Sequence, residues 1–338
     1  MYRSISGALE MSHSPPYGST SIEPAEGWIT VRLTSIRYAA DGINLYEFIR
    51  LDEASLPPAS PGAHIDIALP GGLVRQYSLI ETADAPSHYV VCVKRDPNSR
   101  GGSRYIHEEM AIGQTLRISR PRNNFALDEA AAHSVLVAGG IGITPLFAMM
   151  DCLRALGRKY ELHYACRTRR EAIFRTELEA DGHVTLHVDD EVGSVLNIGA
   201  ILERAPAESH FYCCGPTPML ETFEAAARAL SVAPDRIHTE YFSARHEAAA
   251  GGFVVELARS GRSIDIPAGE TILDTLREAG IDVPSACEQG LCGACETHVI
   301  RGTPDHRDSI LSEDERAASE TMMICCSGSK SDRLVLDL

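Results

Sequence analysis

The chain has 338 residues, too many for one ordinary core and enough for two or three domains of about 100 to 150 residues each. With 44% apolar and 23% charged residues, each domain can bury a core of its own and no membrane span is called for. A net charge of −16 without a long basic run argues against a nucleic-acid partner, whose phosphates need clustered Lys and Arg, and suits docking to a basic protein face.

Residues 1–26 are rich in Ser, Pro and Gly and contain no apolar stretch long enough for a signal peptide, so a flexible tail on a cytoplasmic protein is expected. Residues 27–127 then alternate short β-branched runs with turn residues: Trp28 to Ile36, Ile43 to Leu51, His64 to Leu69, Val74 to Ile80 and His88 to Lys94. Clusters such as Pro57-Pro58 and Pro70-Gly71-Gly72 punctuate them, as in an antiparallel barrel. A single helix, from Ser103 to about Met110, interrupts this pattern.

Across 128–245 the pattern changes to buried apolar runs followed by helical periods. Strands are expected at Ser134 to Ala138, Tyr160 to Ala165, Val184 to Val188 and His210 to Cys214, with helices from Pro145 to Leu156 and Pro218 to Leu230. This is βα alternation on a parallel sheet. Residues 246–252, rich in Ala and Gly, form a linker, and 253–338 a third unit. There, Phe253 to Leu257 and Ser263 to Ile266 flank a Gly turn, and Ile272, Leu273, Leu276 and Ala279 give one helical face closed by Gly280. Strands near Thr297 to Ile300 and at Leu334 to Leu338 complete it.

The chain contains 10 cysteines, and its length and lack of an export signal favour thiols or metal ligands over disulfides. Cys287, Cys292 and Cys295 are spaced C-x4-C-x2-C, and Cys325 follows after residues 296–324, the spacing of a plant-type [2Fe-2S] site. Gly290 and Gly293 let the loop take positive φ and bring N–H groups to sulfur. A structural zinc site is the competing reading, but zinc hooks come as paired C-x2-C, and Cys325 lacks such a partner. Cys326 is the adjacent alternative for the fourth ligand.

These cysteines, together with His306-Arg307-Asp308 and the ending Leu334-Val-Leu-Asp-Leu338, resemble reductases of the phthalate dioxygenase reductase and vanillate demethylase family over roughly Trp28 to Leu338. The resemblance implies a multidomain fold: an antiparallel β-barrel flavin domain, an α/β parallel-sheet nucleotide domain and a β-grasp ferredoxin domain, in that order. It implies an NADH-dependent flavin and iron–sulfur oxidoreductase with FMN, NADH and a [2Fe-2S] cluster. Cys287 and Cys292 would bind one iron, Cys295 and Cys325 the other. The implied partner is a terminal Rieske-type non-haem iron oxygenase, with no nucleic acid, no membrane and a monomeric reductase. A cytochrome P450 partner, FAD in place of FMN, and a redox sensor without turnover are the alternatives.

Arg75-Gln-Tyr77-Ser78 resembles the R-x-Y-S flavin signature of ferredoxin reductase-like barrels. Arg75 supplies charge for a phosphate, Tyr77 an aromatic wall and Ser78 a hydroxyl near the flavin ring. Gly101-Gly102-Ser103 opens the barrel's helix and offers N–H groups to an anion. The resemblance adds Val93, Lys94 and Phe242 beside the ring. Gly139-Gly140-Ile141-Gly142-Ile143-Thr144-Pro145 joins a buried strand to a helix, so Gly140, Gly142, Thr144 and Pro145 are candidates for the nicotinamide pyrophosphate. Cys214-Gly215-Pro216 follows another buried strand, where the family positions the nicotinamide. Arg167 suits a 2′-phosphate and Asp189 a ribose hydroxyl; with Asp190 and Glu191 beside Asp189, NADH is preferred. His306-Arg307-Asp308 has the letters of a kinase catalytic loop without its Asn or its glycine-rich loop, so kinase chemistry is excluded.

Overall fold

The computed structural model describes residues 27–52, 54–97, 99, 101–242, 252–285, 288, 290 and 293–338. The expected tail 1–26, residues 246–251 of the expected linker, and Cys287 and Cys292 lie outside the described residues.

The first sheet contains β1 (Trp28–Ala40), β2 (Ile43–Arg50), β3 (His64–Ala68), β4 (Val74–Ser78), β5 (Tyr89–Lys94) and, after helix α1 (Gly102–Glu108), β6 (Thr115–Ser119). Its order is β4-β3-β6-β1-β2-β5, every pair antiparallel. A bridge from Leu79 to Val91 brings β4 back to β5 and closes the barrel, which removes two open edges. Alternate residues such as Val31, Leu33, Ile65 and Ile67 point inward and are almost completely buried. β1 runs past Ile36 to Ala40 through two register shifts on β2, and β6 was not foreseen from the sequence.

The second sheet is parallel, in the order β11-β10-β7-β8-β9, built from β7 (His133–Gly139), β8 (Tyr160–Cys166), β9 (Val184–Val188), β10 (Ser209–Cys214) and β11 (Ile237–Glu240). Its helices are α2 (Ile143–Ala155), α3 (Arg175–Glu179), α4 (Asp189–Val192), α5 (Ile198–Arg204) and α6 (Thr217–Ala229). Val135 and Val137 face α5 and α6, while Leu136 and Ala138 pack with α2, so the strand is apolar on both faces. Chain order reverses between β7 and β10. That crevice, outside the strand ends, is where ligands bind in open α/β sheets.

The third unit pairs β12 (Phe253–Leu257), β13 (Ser263–Ile266), β14 (Glu296–Arg301), β16 (Thr321–Met323) and β18 (Arg333–Leu336) in the order β13-β12-β18-β14-β16. β12 and β18 are parallel and the other pairs antiparallel, as in a β-grasp sheet. Helix α7 (Ile272–Glu278) buries Ile272, Leu273 and Leu276; Thr271 caps it, accepting from Asp274 N at 3.0 Å, and Gly280, at φ 74°, closes it. Short β15 (Pro304–Asp305) pairs with β17 (Gly328–Ser329), and α8 (Glu313–Ala318) starts in a capping box from Ser312 and Glu315. No helix among the described residues is long and apolar enough to cross a membrane.

Candidate functional site

A cleft of about 530 Å³ opens between all three units, within the size range of cofactor sites. β4 contributes Arg75, Gln76, Tyr77 and Ser78, and β5 contributes Cys92 and Lys94. Ser103 of α1, Ile141 and Thr144 at the start of α2, and Thr239 to Phe242 at the end of β11 add further wall. Ser309 and Ile310 reach it from the third unit.

On the residues that line this cleft, Gln76 Nε2, Ser78 Oγ, Glu240 Oε2 and Ser309 Oγ are buried and have no hydrogen-bond partner among the described residues. Buried polar groups are normally satisfied, so an amide donor, two hydroxyls and an acid left over around one cleft mark the seat of a polar ring system. Burial also holds the Glu240 carboxyl up at about 8, so it is a neutral acid at pH 7. A flavin fits these residues: ring polarity at Ser78 and Gln76, and a cation in Arg75 at the mouth of α1. The Arg75 side chain lies against the helix start so closely that a Cβ on Gly102 would fall 2.6 Å from Arg75 Cγ. Gly101, at φ 99°, makes the turn before it, and Ser103 Oγ accepts from Asp96 N at 3.1 Å.

Three flavin candidates behave differently from one another. Lys94 lines the cleft and pairs at 3.5 Å with Glu171 of the parallel-sheet unit. Phe242 lines it with 38% of its surface exposed. Val93 does not line it: strand alternation turns its side chain into the barrel core, and its neighbours Cys92 and Lys94 face the cleft instead.

The nucleotide loops meet at the sheet crevice. Gly140, at φ 55°, has open space around it, whereas a Cβ on Gly142 would sit 2.2 Å from Cys214 O and one on Gly139 3.3 Å from Gly215 Cα. Gly142 therefore lets the two loops touch, and of the two candidates only Gly140 is open to a ligand. Thr144 Oγ1 donates to Ile141 O at 3.0 Å, and Pro145 is buried in the first turn of α2. Cys214 is fully buried beside its register partner Glu240, and burial holds its thiol well above the ordinary range. Cys214, Gly215 and Pro216 are not cleft-lining residues, although they back Glu240 and the glycine loop. Arg167 and Asp189 sit at the ends of β8 and β9, joined by Asp190 N donating to Arg167 O at 3.1 Å.

In the cysteine loop, Cys295 and Cys325 are both buried, and Gly290 N donates to Cys325 Sγ at 3.2 Å. An N–H directed at a buried sulfur is the kind of contact that a cluster-bound sulfur accepts. Gly290, at φ 67°, has no room for a side chain: a Cβ would lie 2.5 Å from Cys326 Sγ. Cys326 packs in the core of this unit, its sulfur 3.7 Å from Met323 O. Gly290 O accepts from Ser309 N at 3.0 Å, which ties the cysteine loop to the cleft wall.

Sequence reasoning did not single out Gln76, Cys92, Glu240, Ser309 or Ile310. Gln76 carried a signal, lying inside the Arg75–Ser78 stretch. The approach of Ser309 and Ile310 is a product of domain packing and leaves no local trace.

A 2Fe-2S iron-sulfur cluster binding domain family matches residues 255–329. A phthalate dioxygenase reductase of known structure, described as modular and transferring electrons from pyridine nucleotides to [2Fe-2S], is 38% identical, with a TM-score of 0.74 over 93% of this chain and 98% of that one. The chain belongs to the phthalate dioxygenase reductase family. It is accordingly an oxidoreductase with flavin, nicotinamide and [2Fe-2S] modules. Within this family it is 51% identical to the phenoxybenzoate dioxygenase subunit beta of Ectopseudomonas oleovorans, over 92% of this chain and 97% of that one. An intact type IV self-sufficient cytochrome P450 monooxygenase is also similar, 40% identical with a TM-score of 0.77; the match covers 92% of this chain and 41% of the larger one.

Proposed function

We propose that the protein is the NADH-dependent reductase component of a two-component Rieske-type non-haem iron oxygenase acting as an aromatic ring dioxygenase, monooxygenase or O-demethylase. Electrons pass from NADH to FMN, to the [2Fe-2S] cluster and on to the oxygenase. The observation that carries this reading is a cleft walled by all three units, with Ser309 of the ferredoxin unit and Glu240 of the nucleotide unit facing the same space as Ser78. Relatives named as dioxygenase subunits support the oxygenase as partner.

In this reading the units divide at 27–127, 128–245 and 253–338, joined by 246–252, in a cytoplasmic monomer. Bound flavin supplies the conversion of a hydride into single electrons. Arg75, with Gly101, Gly102 and Ser103, would hold the flavin phosphate; Tyr77, Lys94 and Phe242, which line the cleft, would enclose the ring and keep water from it. Ser78 would donate or accept at the ring, and Glu240 would hold a proton beside it. Gly140, Gly142, Thr144 and Pro145 shape the pyrophosphate loop, Cys214, Gly215 and Pro216 back the nicotinamide, and Asp189 takes the ribose. Cys287, Cys292, Cys295 and Cys325 hold the cluster.

Anaerobic titration of the purified protein with NADH tests this. Flavin bleaching together with loss of the cluster's visible absorbance and appearance of its paramagnetic signal is expected; bleaching of flavin alone overturns the electron path. Heat release and mass measurement separate FMN from FAD. The similarity to a fused cytochrome P450 favours one second reading, a P450 partner, and reduction of a P450 in preference to any Rieske oxygenase would establish it.

A further inference from the structure

At the C-terminal edge of the parallel sheet, Arg167 and Arg169 have different surroundings. Gly139 is level with Ala165, and Cys166 with Val188, so Arg167, Asp189 and the open Gly140 share one edge. From β10, which backs the nicotinamide position, to β9 is three strand spacings, about 14 Å. The ends of β8 and β9 are therefore where the adenosine ribose of a bound dinucleotide comes to rest.

Arg167 is exposed there and carries no ion pair among the described residues. Arg169, two residues on, has all three guanidinium nitrogens engaged. Its Nε and Nη2 donate to the two carboxylate oxygens of Glu191 at 2.8 and 2.7 Å, a parallel fork, and its Nη1 donates to Glu179 Oε1 at 2.7 Å. Glu179 also lies 3.9 Å from Arg175 Nε. All three side chains of the pair of bridges are close to half exposed, so their contribution to folding is small. Their effect is occupancy: the planar fork that best matches a phosphate is already filled.

We propose that Glu191 and Glu179 set the cofactor choice of this chain by holding Arg169 away from a nucleotide 2′-phosphate, so that a 2′-hydroxyl is accepted and a 2′-phosphate is refused. The inference rests on the nicotinamide reading above and assigns its specificity to two positioning residues. To gain the Arg169 fork a 2′-phosphate must displace two carboxylates, leaving only Arg167 to meet it otherwise, and it must lie beside Asp189 and Asp190, whereas a hydroxyl needs only an acceptor such as Asp189.

The test is calorimetric binding of 2′,5′-ADP and 5′-ADP to the holoenzyme, read as the ratio of the two affinities. In a Glu191→Gln, Glu179→Gln double variant the ratio rises in favour of 2′,5′-ADP by about tenfold, equivalent to about 1.4 kcal/mol, and adding Arg169→Ala returns it to the wild-type value. The NADPH to NADH ratio of kcat/KM moves in parallel. A ratio that does not move, or a gain that survives Arg169→Ala, overturns the inference while 5′-ADP binding stands. Failure of the wild type to bind 5′-ADP overturns the nicotinamide reading itself, and this inference with it.

Discussion

Glu240 shows what a single residue takes from its surroundings. It ends a four-residue strand beside Cys214, half-buried as a residue, with Oε2 closed off from water and from any partner among the described residues. Its carboxyl titrates near 8 in the folded protein against an ordinary 4.5, so between those values the folded chain holds a proton that the unfolded chain has released. Stability therefore falls as pH rises through that window, by up to about 1.4 kcal/mol per unit. Glu240→Gln keeps the shape and removes the titration. In denaturant melts of the two proteins at about pH 5, 7 and 9, the variant should gain on the wild type as pH rises; a constant difference would show that Glu240 is already ionised. None of this was legible in the sequence, where Glu240 is one acid among many. The cysteine spacing stood out because a cluster demands such spacing, and Arg75, Tyr77 and Ser78, which line the cleft, because one strand presents them together.

At the scale of elements, the sequence reading succeeded where a strand or helix is buried through its own pattern. Tyr160 to Cys166 buries Tyr160, Leu162 and Tyr164 in alternation, Phe211 to Cys214 is buried throughout, and α7 carries both its cap and its closing glycine. β6 and β11 escaped because pairing creates them. β11 has no fully buried residue and is a strand only through its ladder on Phe211 to Cys214. α8 carried an unread sign, the Ser312 to Glu315 capping box. The glycine loop after β7 was read as a ligand cradle, yet its third glycine serves a neighbouring loop: Gly142 leaves room for the Cys214 carbonyl. Gly142→Ala must push β10's end away from β7's, opening the crevice where the nicotinamide loops meet. We expect it to raise KM for NADH about tenfold or more while the [2Fe-2S] absorbance stays intact, since misplacement by about 1 Å can cost about a hundredfold. Steady-state kinetics with an artificial acceptor checks this, and an unchanged KM would show that the loops need no close contact.

Among the described residues the barrel, the parallel-sheet unit and the ferredoxin unit each hold a core cluster of their own, and a fourth cluster is shared by the first two. One core cluster joins Ile43, Val90, Cys92 and Phe125 of the barrel to Leu136, Leu146, Met149 and Tyr164 of the parallel-sheet unit. Asp41 N donating to Arg170 O at 3.1 Å and Lys94 pairing with Glu171 lace the same seam. The third unit keeps its core to itself, from Phe253 to Leu336, and meets the others at the cleft through Ser309 and Ile310. Separate cores that share little surface unfold separately, whereas a shared core unfolds as one. Calorimetry of the holoprotein should therefore show two transitions, one for the barrel with the parallel sheet and one for the ferredoxin unit, the latter accompanied by loss of the iron–sulfur colour. Met149 tests the assignment, because it is fully buried in the shared core and its Cε would lie 3.0 Å from a Cβ placed on Gly62 of the barrel. Met149→Ala should weaken the first unit by about 2 to 5 kcal/mol and leave the bleaching transition where it was. A single transition for the whole chain, or three, would mean that the seams between the units carry a different weight from the one their side chains indicate.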